Sequence, residues 1–198
     1  ATRDMYLDEQ GEVIENQSMV GARASGVPGT VMGLWEAHQK FGTLPWADLI
    51  APAIGYAKNG FKVAGKQYQY RDDAMKLFAG TTNFGEYFGS MKPGEIFRQP
   101  ELAATLERIA SNGVGEFYSG ETADLLVAQM QADKGLITRQ DLLDYKVVWR
   151  EPLHFDWRGN RVYTAPPPSS GGVALAQLLS IQEARAADFD GVELNSAK

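Results

Sequence analysis

Between residues 27 and 145 the chain is a succession of apolar patterns at helical spacing, most of them cut short by a glycine. That punctuation commits most of the sequence to separate helices. The first pattern follows Val27-Pro28-Gly29, with Pro28 suited to a first helical turn. Val31, Leu34, Trp35 and His38 then fall at i, i+3, i+4 and i+7, and Gly42 stops the run. The second opens at Pro45 with Trp46, Leu49 and Ile50. Pro52 has no N–H to donate and clashes with the preceding turn, so it is expected to kink or split this helix. Ala53, Ile54, Tyr56 and Ala57 carry the pattern on to Asn59-Gly60. Residues 68–78 read as a weakly patterned helix, and 81–94, rich in Gly, Asn, Ser and Pro, as a loop. Pro100 starts a helix with Leu102, Leu106 and Ile109 on one face, ended by Asn112-Gly113. Leu125, Leu126 and Met130 mark another over 121–133, closed by Lys134-Gly135. Thr138-Arg139-Gln140-Asp141 has the form of a capping box with Asp in the usual Glu or Gln position, starting a short helix through Leu142, Leu143 and Tyr145.

At residue 146 the character changes. Val147, Val148, Trp149, Leu153 and Phe155 favour a strand over 146–156, with Pro152 restricting it to an edge or a break. Arg158-Gly159-Asn160 supplies a turn, and 161–165 returns as a second strand. A run of three prolines, two serines and two glycines, Pro166 to Gly172, leads to a last helix carrying Leu175, Leu178, Leu179 and Ile181. Residues 1–25 are polar and irregular, with a turn at Asp8-Glu9-Gln10-Gly11-Glu12. They begin as the middle of a longer polypeptide would, with no initiator Met or cap pattern. Residues 188–198 are polar and also lack a cap pattern. The fold class expected is helix-rich α+β, mainly helical over 1–145, with the hairpin, turn and final helix over 146–198.

A chain of 198 residues holds one large domain or two small ones, and 44% hydrophobic with 22% charged residues is globular composition. With 19 basic and 25 acidic side chains the net charge is −6, which argues against a binder of nucleic-acid backbones. No apolar run approaches the roughly 20 residues of a membrane helix, and no basic-then-apolar leader is present, so a soluble chain without an export signal is expected. There is no cysteine, which excludes disulfides, thiolate catalysis and Cys-ligated metal. The two histidines, His38 and His154, lie far apart and outside any metal-binding spacing, and read as surface or half-buried residues. No metal or cofactor is expected.

The strongest local site candidate is Ser169, Ser170, Gly171 and Gly172. Unpaired N–H groups and the dipole at a helix start favour an anion, and glycines allow close approach. The plainer reading has Ser170 as the helix cap and the glycines as a sharp strand-to-helix turn. It is not a phosphate-binding P-loop, since no Gly-Lys-Ser/Thr follows. Asp72-Asp73 and Asp141/Asp144 are carboxylate pairs of the kind that usually lies solvated on a helix face. Trp35, Trp46, Trp149 and Trp157 read as core or interface residues. Thr81-Thr82-Asn83 has no adjacent base and reads as turn chemistry. No catalytic constellation is visible.

An ordered set of segments resembles the gamma-glutamyltranspeptidase (glutathione hydrolase) family. It comprises Ala1-Thr2-Arg3-Asp4-Met5-Tyr6, Ser25-Gly26-Val27-Pro28-Gly29-Thr30-Val31 with Gly33, Phe41-Gly42-Thr43-Leu44-Pro45, and Ala51-Pro52-Ala53-Ile54 through Asn59-Gly60-Phe61. Asn112-Gly113 through Glu116-Phe117-Tyr118, then Gly135-Leu136-Ile137-Thr138 through Tyr145, follow. Tyr163 to Gly172, with its three prolines, is the most specific. The resemblance implies a precursor that cleaves itself into a large and a small subunit, and an αββα fold of the N-terminal nucleophile hydrolases. It implies a new N-terminal threonine that is both nucleophile and, through its amine, base, with no cofactor. It places this chain inside the large subunit, as the outer helical lobe and a late hairpin. The threonine and the residues that grip the γ-glutamyl group then lie outside it, and no catalytic position falls on this chain. The partners implied are the rest of the large subunit, the small subunit and γ-glutamyl substrates, in a periplasmic or extracellular compartment. Apolar faces left without those partners are expected to be exposed or covered by self-association. Two other readings stand beside this one: a self-sufficient module holding a small anion, and a piece of a related glutaryl or cephalosporin acylase.

Overall fold

The computed structural model describes residues 2–78, 80–189 and 191, so the polar tail over 192–198 lies outside the described residues. The chain divides into two compact units, Ala1–Val147 and Val148–Lys198.

The first unit is helical: α1 Thr30–Phe41, α2 Trp46–Asn59, α3 Gly65–Phe78, α4 Phe84–Phe88, α5 Pro100–Asn112, α6 Val114–Ser119, α7 Glu121–Ala132 and α8 Arg139–Leu143. Two short strands, β1 Phe61–Lys62 and β2 Ile96–Phe97, pair antiparallel with Phe61 opposite Phe97. The main core gathers where α6, α7 and α8 meet. Leu142 and Ala123 are 0% exposed, Tyr118 and Ile137 join them, and Val31, Met32, Leu126 and Met130 pack around the cluster. A second cluster joins Phe97 of β2 to Val63 and Met91, with Phe61 of β1, Tyr68 and Phe88 packed against it.

The glycine stops act as expected. The N–H groups of Gly42, Gly60 and Gly113 bond back to His38, Tyr56 and Ile109, and Gly60 and Gly113 have φ of 84° and 72°, a region only glycine visits freely. Thr138 and Asp141 form the full reciprocal capping box. The turn at residues 8–12 is closed by Asp8 Oδ1, which accepts from the N–H groups of Gln10 and Glu12, both at 2.9 Å.

Local patterns alone misplaced several features. Pro28 precedes α1 instead of lying in its first turn, because Gly29 is the N-cap. Pro52 does not split α2, which runs unbroken from Trp46 to Asn59. That helix is pinned to α5 at both ends: the Trp46 indole donates to the Ile109 carbonyl at 3.1 Å, and the Gln99 N–H donates to the Ala57 carbonyl at 2.9 Å. Residues 81–94 contain α4. The Phe84 ring stacks on Phe88 at 4.6 Å and meets Phe78 at a tilt at 5.4 Å, and Phe88 reaches Phe97 of β2 at 6.0 Å, so aromatic packing offsets a local composition that disfavours a helix.

The second unit is a hairpin and a helix: β3 Leu153–Trp157, β4 Asn160–Thr164 and α9 Ser170–Ala184. The strands pair from Leu153 opposite Thr164 to Trp157 opposite Asn160. The strand expected from residue 146 begins only at 153, because Pro152 and Pro166 bound the ladder and neither has an N–H to extend it. Alternate residues face α9, and Leu153, Phe155 and Trp157 are half-buried there. Among the described residues no helix is long and apolar enough to cross a membrane.

Candidate functional site

The turn at Ser169, Ser170, Gly171 and Gly172 packs the start of α9 against the end of β4. The Pro167–Pro168 peptide is cis, and Ser169, not Ser170, occupies the N-cap of α9 and makes no side-chain cap bond. Ser170 is the first helical residue, and both serines and Gly171 are exposed. Gly172 is buried where the helix meets the end of β4. A methyl group there would run into the Ala165 carbonyl oxygen and lie 3.0 Å from the Thr164 methyl, whereas Gly171 faces open space apart from the Ser169 hydroxyl at 3.8 Å. The second glycine is thus required by close helix–strand approach.

The other candidates are occupied locally. The Thr81 and Thr82 hydroxyls lie 3.1 and 3.5 Å from the Phe78 carbonyl, and Thr82 Oγ1 accepts from the Phe84 N–H, which is turn chemistry. Asp72 pairs with Arg71 and Asp73 with Lys76, each at 3.2 Å. Asp144 accepts from the Gln140 amide at 2.9 Å. Asp141 accepts from the Thr138 hydroxyl and N–H, and these bonds, the hydroxyl first, hold its carboxyl below the usual range. His38 Nε2 lies 2.8 Å from the Leu44 carbonyl, and its ring sits 5.3 Å from that of Trp46, which meets Trp35 edge-on. His154 Nδ1 lies 3.3 Å from the Arg161 guanidinium. Trp157 is half-buried, and Trp149 is 52% exposed, on the surface of this chain. Among the described residues no three His, Cys, Asp or Glu side chains converge as a metal site.

Two polar constellations escaped the sequence reading. The first is Glu116, only 8% exposed. Its Oε1 accepts from the Thr122 N–H and hydroxyl, both at 3.0 Å, and from Arg108 Nε at 3.1 Å. Arg108 also reaches the Thr122 hydroxyl at 3.2 Å and Glu121 at 3.3 Å. Burial pushes the Glu116 carboxyl up. The two Thr122 bonds, then the bond and charge of Arg108, outweigh it and hold the group below the ordinary glutamate range. Because α7 has glycine at its N-cap, Glu116 caps that helix from the preceding one. The missing cap in Gly120-Glu121-Thr122 was the available signal.

The second is Tyr118. Its hydroxyl donates to the Pro28 carbonyl at 2.7 Å and accepts from the Met32 N–H at 3.2 Å. Gly29, the N-cap of α1, has no side chain to do this. Tyr145 stacks on Tyr118 at 5.7 Å, and its hydroxyl fills the space a side chain at Gly29 would need. Both constellations tie helix starts to the core, and neither sets a nucleophile beside a base.

A sequence profile for the family described as Gamma-glutamyltranspeptidase matches residues 1–198, and the chain belongs to that family. A glutathione hydrolase proenzyme of Pseudomonas aeruginosa is 72% identical over 198 residues, all of this chain but 36% of that protein. One of Escherichia coli is 41% identical over 188 residues, 32% of its length. The chain therefore spans about a third of the curated relatives it matches. Among solved structures, a gamma-glutamyltranspeptidase from Pseudomonas nitroreducens complexed with L-DON superposes with a TM-score of 0.94 at 70% identity, over 100% of this chain and 59% of that one. A cephalosporin acylase from Bacillus halodurans matches 80% of this chain at 32% identity, with a TM-score of 0.71.

Proposed function

We propose that this chain is an interior, non-catalytic segment of the large subunit of a gamma-glutamyltranspeptidase whose chemistry is performed by residues outside it. The observation that carries the reading is the local commitment of each sequence candidate. The hydroxyls of Thr81 and Thr82, the rings of His38 and His154 and the Asp72, Asp73, Asp141 and Asp144 carboxylates each serve a turn, a cap or a surface pair. The Arg108–Glu116–Thr122 and Tyr118 networks brace helices. In the whole protein a threonine freed at a new N-terminus attacks the γ-glutamyl carbonyl, and its amine takes the hydroxyl proton and returns it to the departing amine. The glutamyl ester then passes to water or to an amino acid. This segment supplies the scaffold, and the remaining large subunit and the small subunit are its partners, in an exported protein of αββα fold.

The test is a chromogenic γ-glutamyl anilide offered to the purified chain and to the full-length precursor. The precursor is expected to mature and release the anilide, and the chain to release none. Turnover by the chain alone defeats the proposal. The similarity to a cephalosporin acylase keeps a second reading open, in which the parent removes glutaryl or cephalosporin side chains. A glutaryl amide in the same assay separates the two. The anion-module reading predicts heat on titrating the chain with millimolar glutamate, glutathione or phosphate, and its absence removes that reading.

A further inference from the structure

Asparagine followed by glycine is open to a reaction of the chain with itself. With no side chain on the second residue, its backbone nitrogen can close on the asparagine Cγ as a five-membered succinimide. Among the described residues the pair occurs at the end of α2, Asn59-Gly60, and at the end of α5, Asn112-Gly113. Both asparagines are exposed, so water reaches them. Asn16, Asn83 and Asn160 precede Gln17, Phe84 and Arg161, whose side chains hinder that closure. The fold cannot trade either glycine for a bulkier residue. Their φ angles are 84° and 72°, a Cβ on Gly60 would lie 2.5 Å from the Phe97 carbonyl oxygen, and one on Gly113 would lie 3.1 Å from the Trp35 ring.

What protects these pairs is the bond that ends each helix. The Gly60 N–H donates to the Tyr56 carbonyl and the Gly113 N–H to the Ile109 carbonyl, each at 3.0 Å. The nitrogen that would attack is therefore engaged as a donor, and ring closure also needs the asparagine ψ outside the helical range. Each end is clamped by the opposite end of the neighbouring helix, since α2 and α5 run in opposite directions, with Trp46 meeting Ile109 and Gln99 meeting Ala57. The Ile109 carbonyl accepts from the Trp46 indole at 3.1 Å as well as from Gly113. At the other end the Gln99 N–H holds the Ala57 carbonyl at 2.9 Å.

We propose that Asn59 and Asn112 are latent deamidation sites, preserved by the hydrogen bonds that end α2 and α5 and converted when those ends open. In the open state the glycine nitrogen gives its proton to water or hydroxide and attacks the asparagine Cγ. The N–Cγ bond forms, the Cγ–Nδ2 bond breaks, and ammonia leaves with a proton taken from solvent. Water then opens the succinimide at either carbonyl and leaves aspartate or isoaspartate. In sum a water is consumed and an ammonia released, with no oxidant or cofactor. The isoaspartate product adds a methylene to the main chain. At Asn59 this falls just before Phe61, which pairs with Phe97. At Asn112 it falls just before α6, the helix that carries Glu116 and Tyr118. A transient opening is thereby made permanent. The inference concerns the helix ends and does not rest on the functional reading.

The full-length protein is incubated at mildly alkaline pH, folded and in guanidinium chloride, and each asparagine is followed by peptide mapping with mass spectrometry. Exchange of the Gly60 and Gly113 amide protons is read in the folded protein. In denaturant Asn59 and Asn112 are expected to convert faster than Asn16, Asn83 and Asn160. In the folded protein both are expected to slow at least about tenfold, because the same N–H must be freed for exchange and for attack. The site whose glycine amide exchanges more slowly is expected to deamidate more slowly. Trp46→Phe removes the second donor to the Ile109 carbonyl. It should speed Asn112 by about two- to tenfold, the factor that one hydrogen bond allows, and leave Asn59 unchanged. Conversion in the folded protein as fast as in denaturant overturns the proposal, as does a rank order of deamidation opposite to that of amide exchange. In a folded Trp46→Phe protein, acceleration of both sites alike or of neither also overturns it. If that variant does not fold, exchange against deamidation in the unsubstituted protein still decides.

Discussion

Replacing Glu116 by leucine is the sharpest test of how the first unit is held together. Removing one partner of a buried ion pair costs about 3–5 kcal/mol, because the other charge is left without compensation. Two features of this site place the expected value at the lower end. Arg108 is itself 21% exposed, and Glu121 remains 3.3 Å from its guanidinium. The Thr122 N–H at the start of α7 still loses its acceptor, so the cost does not vanish. About 3 kcal/mol is therefore expected. For a unit of this size 1 kcal/mol moves Tm by about 2–4 °C, which makes the drop about 6–12 °C by calorimetry at pH 7. The sign of the pH dependence follows from the depressed carboxyl. A group whose folded pKa lies below its unfolded value contributes fully above the unfolded pKa, near 4.3 for glutamate, and loses that contribution as pH falls through the folded value. The gap between parent and variant should thus be widest at neutral pH and close in acid. Adding Arg108→Met to Glu116→Leu should recover part of the loss, because the stranded charge goes with it. A neutral-pH Tm for Glu116→Leu within about 2 °C of the parent would refute the reasoning.

Tyr118→Phe keeps the ring stack on Tyr145 but strands the Pro28 carbonyl and the Met32 N–H, so a loss of about 1–3 kcal/mol is expected in denaturant unfolding. At the second unit, Gly172→Ala should destabilise α9 by about 1–3 kcal/mol, since the methyl meets the Ala165 carbonyl. Gly171→Ala, facing open space, should be neutral or stabilising by up to about 1 kcal/mol, and equal effects of the two in thermal melts would contradict the close-packing account. Thr138→Ala removes one arm of the capping box and should cost about 1 kcal/mol at pH 7. That difference should shrink as Asp141 is protonated, since its folded pKa is also held low.

What the sequence revealed and what it hid divide along one physical line. Signals that act within four residues were readable. Gly42, Asn59-Gly60 and Asn112-Gly113 end helices through backbone bonds to residues four back, and Thr138–Asp141 closes its own box. Features settled by partners far along the chain were not. Helix α2 runs through Pro52 because it is tied to Ile109 and Gln99. Helix α4 is held by Phe97 of β2, whose ring lies 6.0 Å from that of Phe88. The two buried polar networks have the same origin. Arg108, Glu116 and Thr122 sit on three different helices, and Tyr118 reaches a carbonyl 90 residues away. Gly29 and Gly120, helix starts without a capping side chain, are the one local trace of both.

Perturbed ionisation is often the mark of a catalytic group, and here each shift runs toward the protonation state the group already holds near pH 7. A general base or acid working near neutrality needs a carboxyl raised by burial or a lysine lowered by it. Glu116 and Asp141 are shifted the opposite way. Each is bonded to N–H and hydroxyl donors at a helix start, which fixes it as a permanent anion with no proton to exchange near pH 7. Lys58 is raised, through its hydrogen bond to Glu107 and then by that charge, so it too holds its proton more tightly. Tyr118 is raised chiefly by burial, and its hydroxyl is already engaged with two backbone groups. Each of these shifts resists a change of protonation near neutrality, which agrees with the proposed scaffold role. Chemistry at the γ-glutamyl bond needs a nucleophile whose proton can leave, and on the proposed reading that group is the threonine supplied by the rest of the precursor.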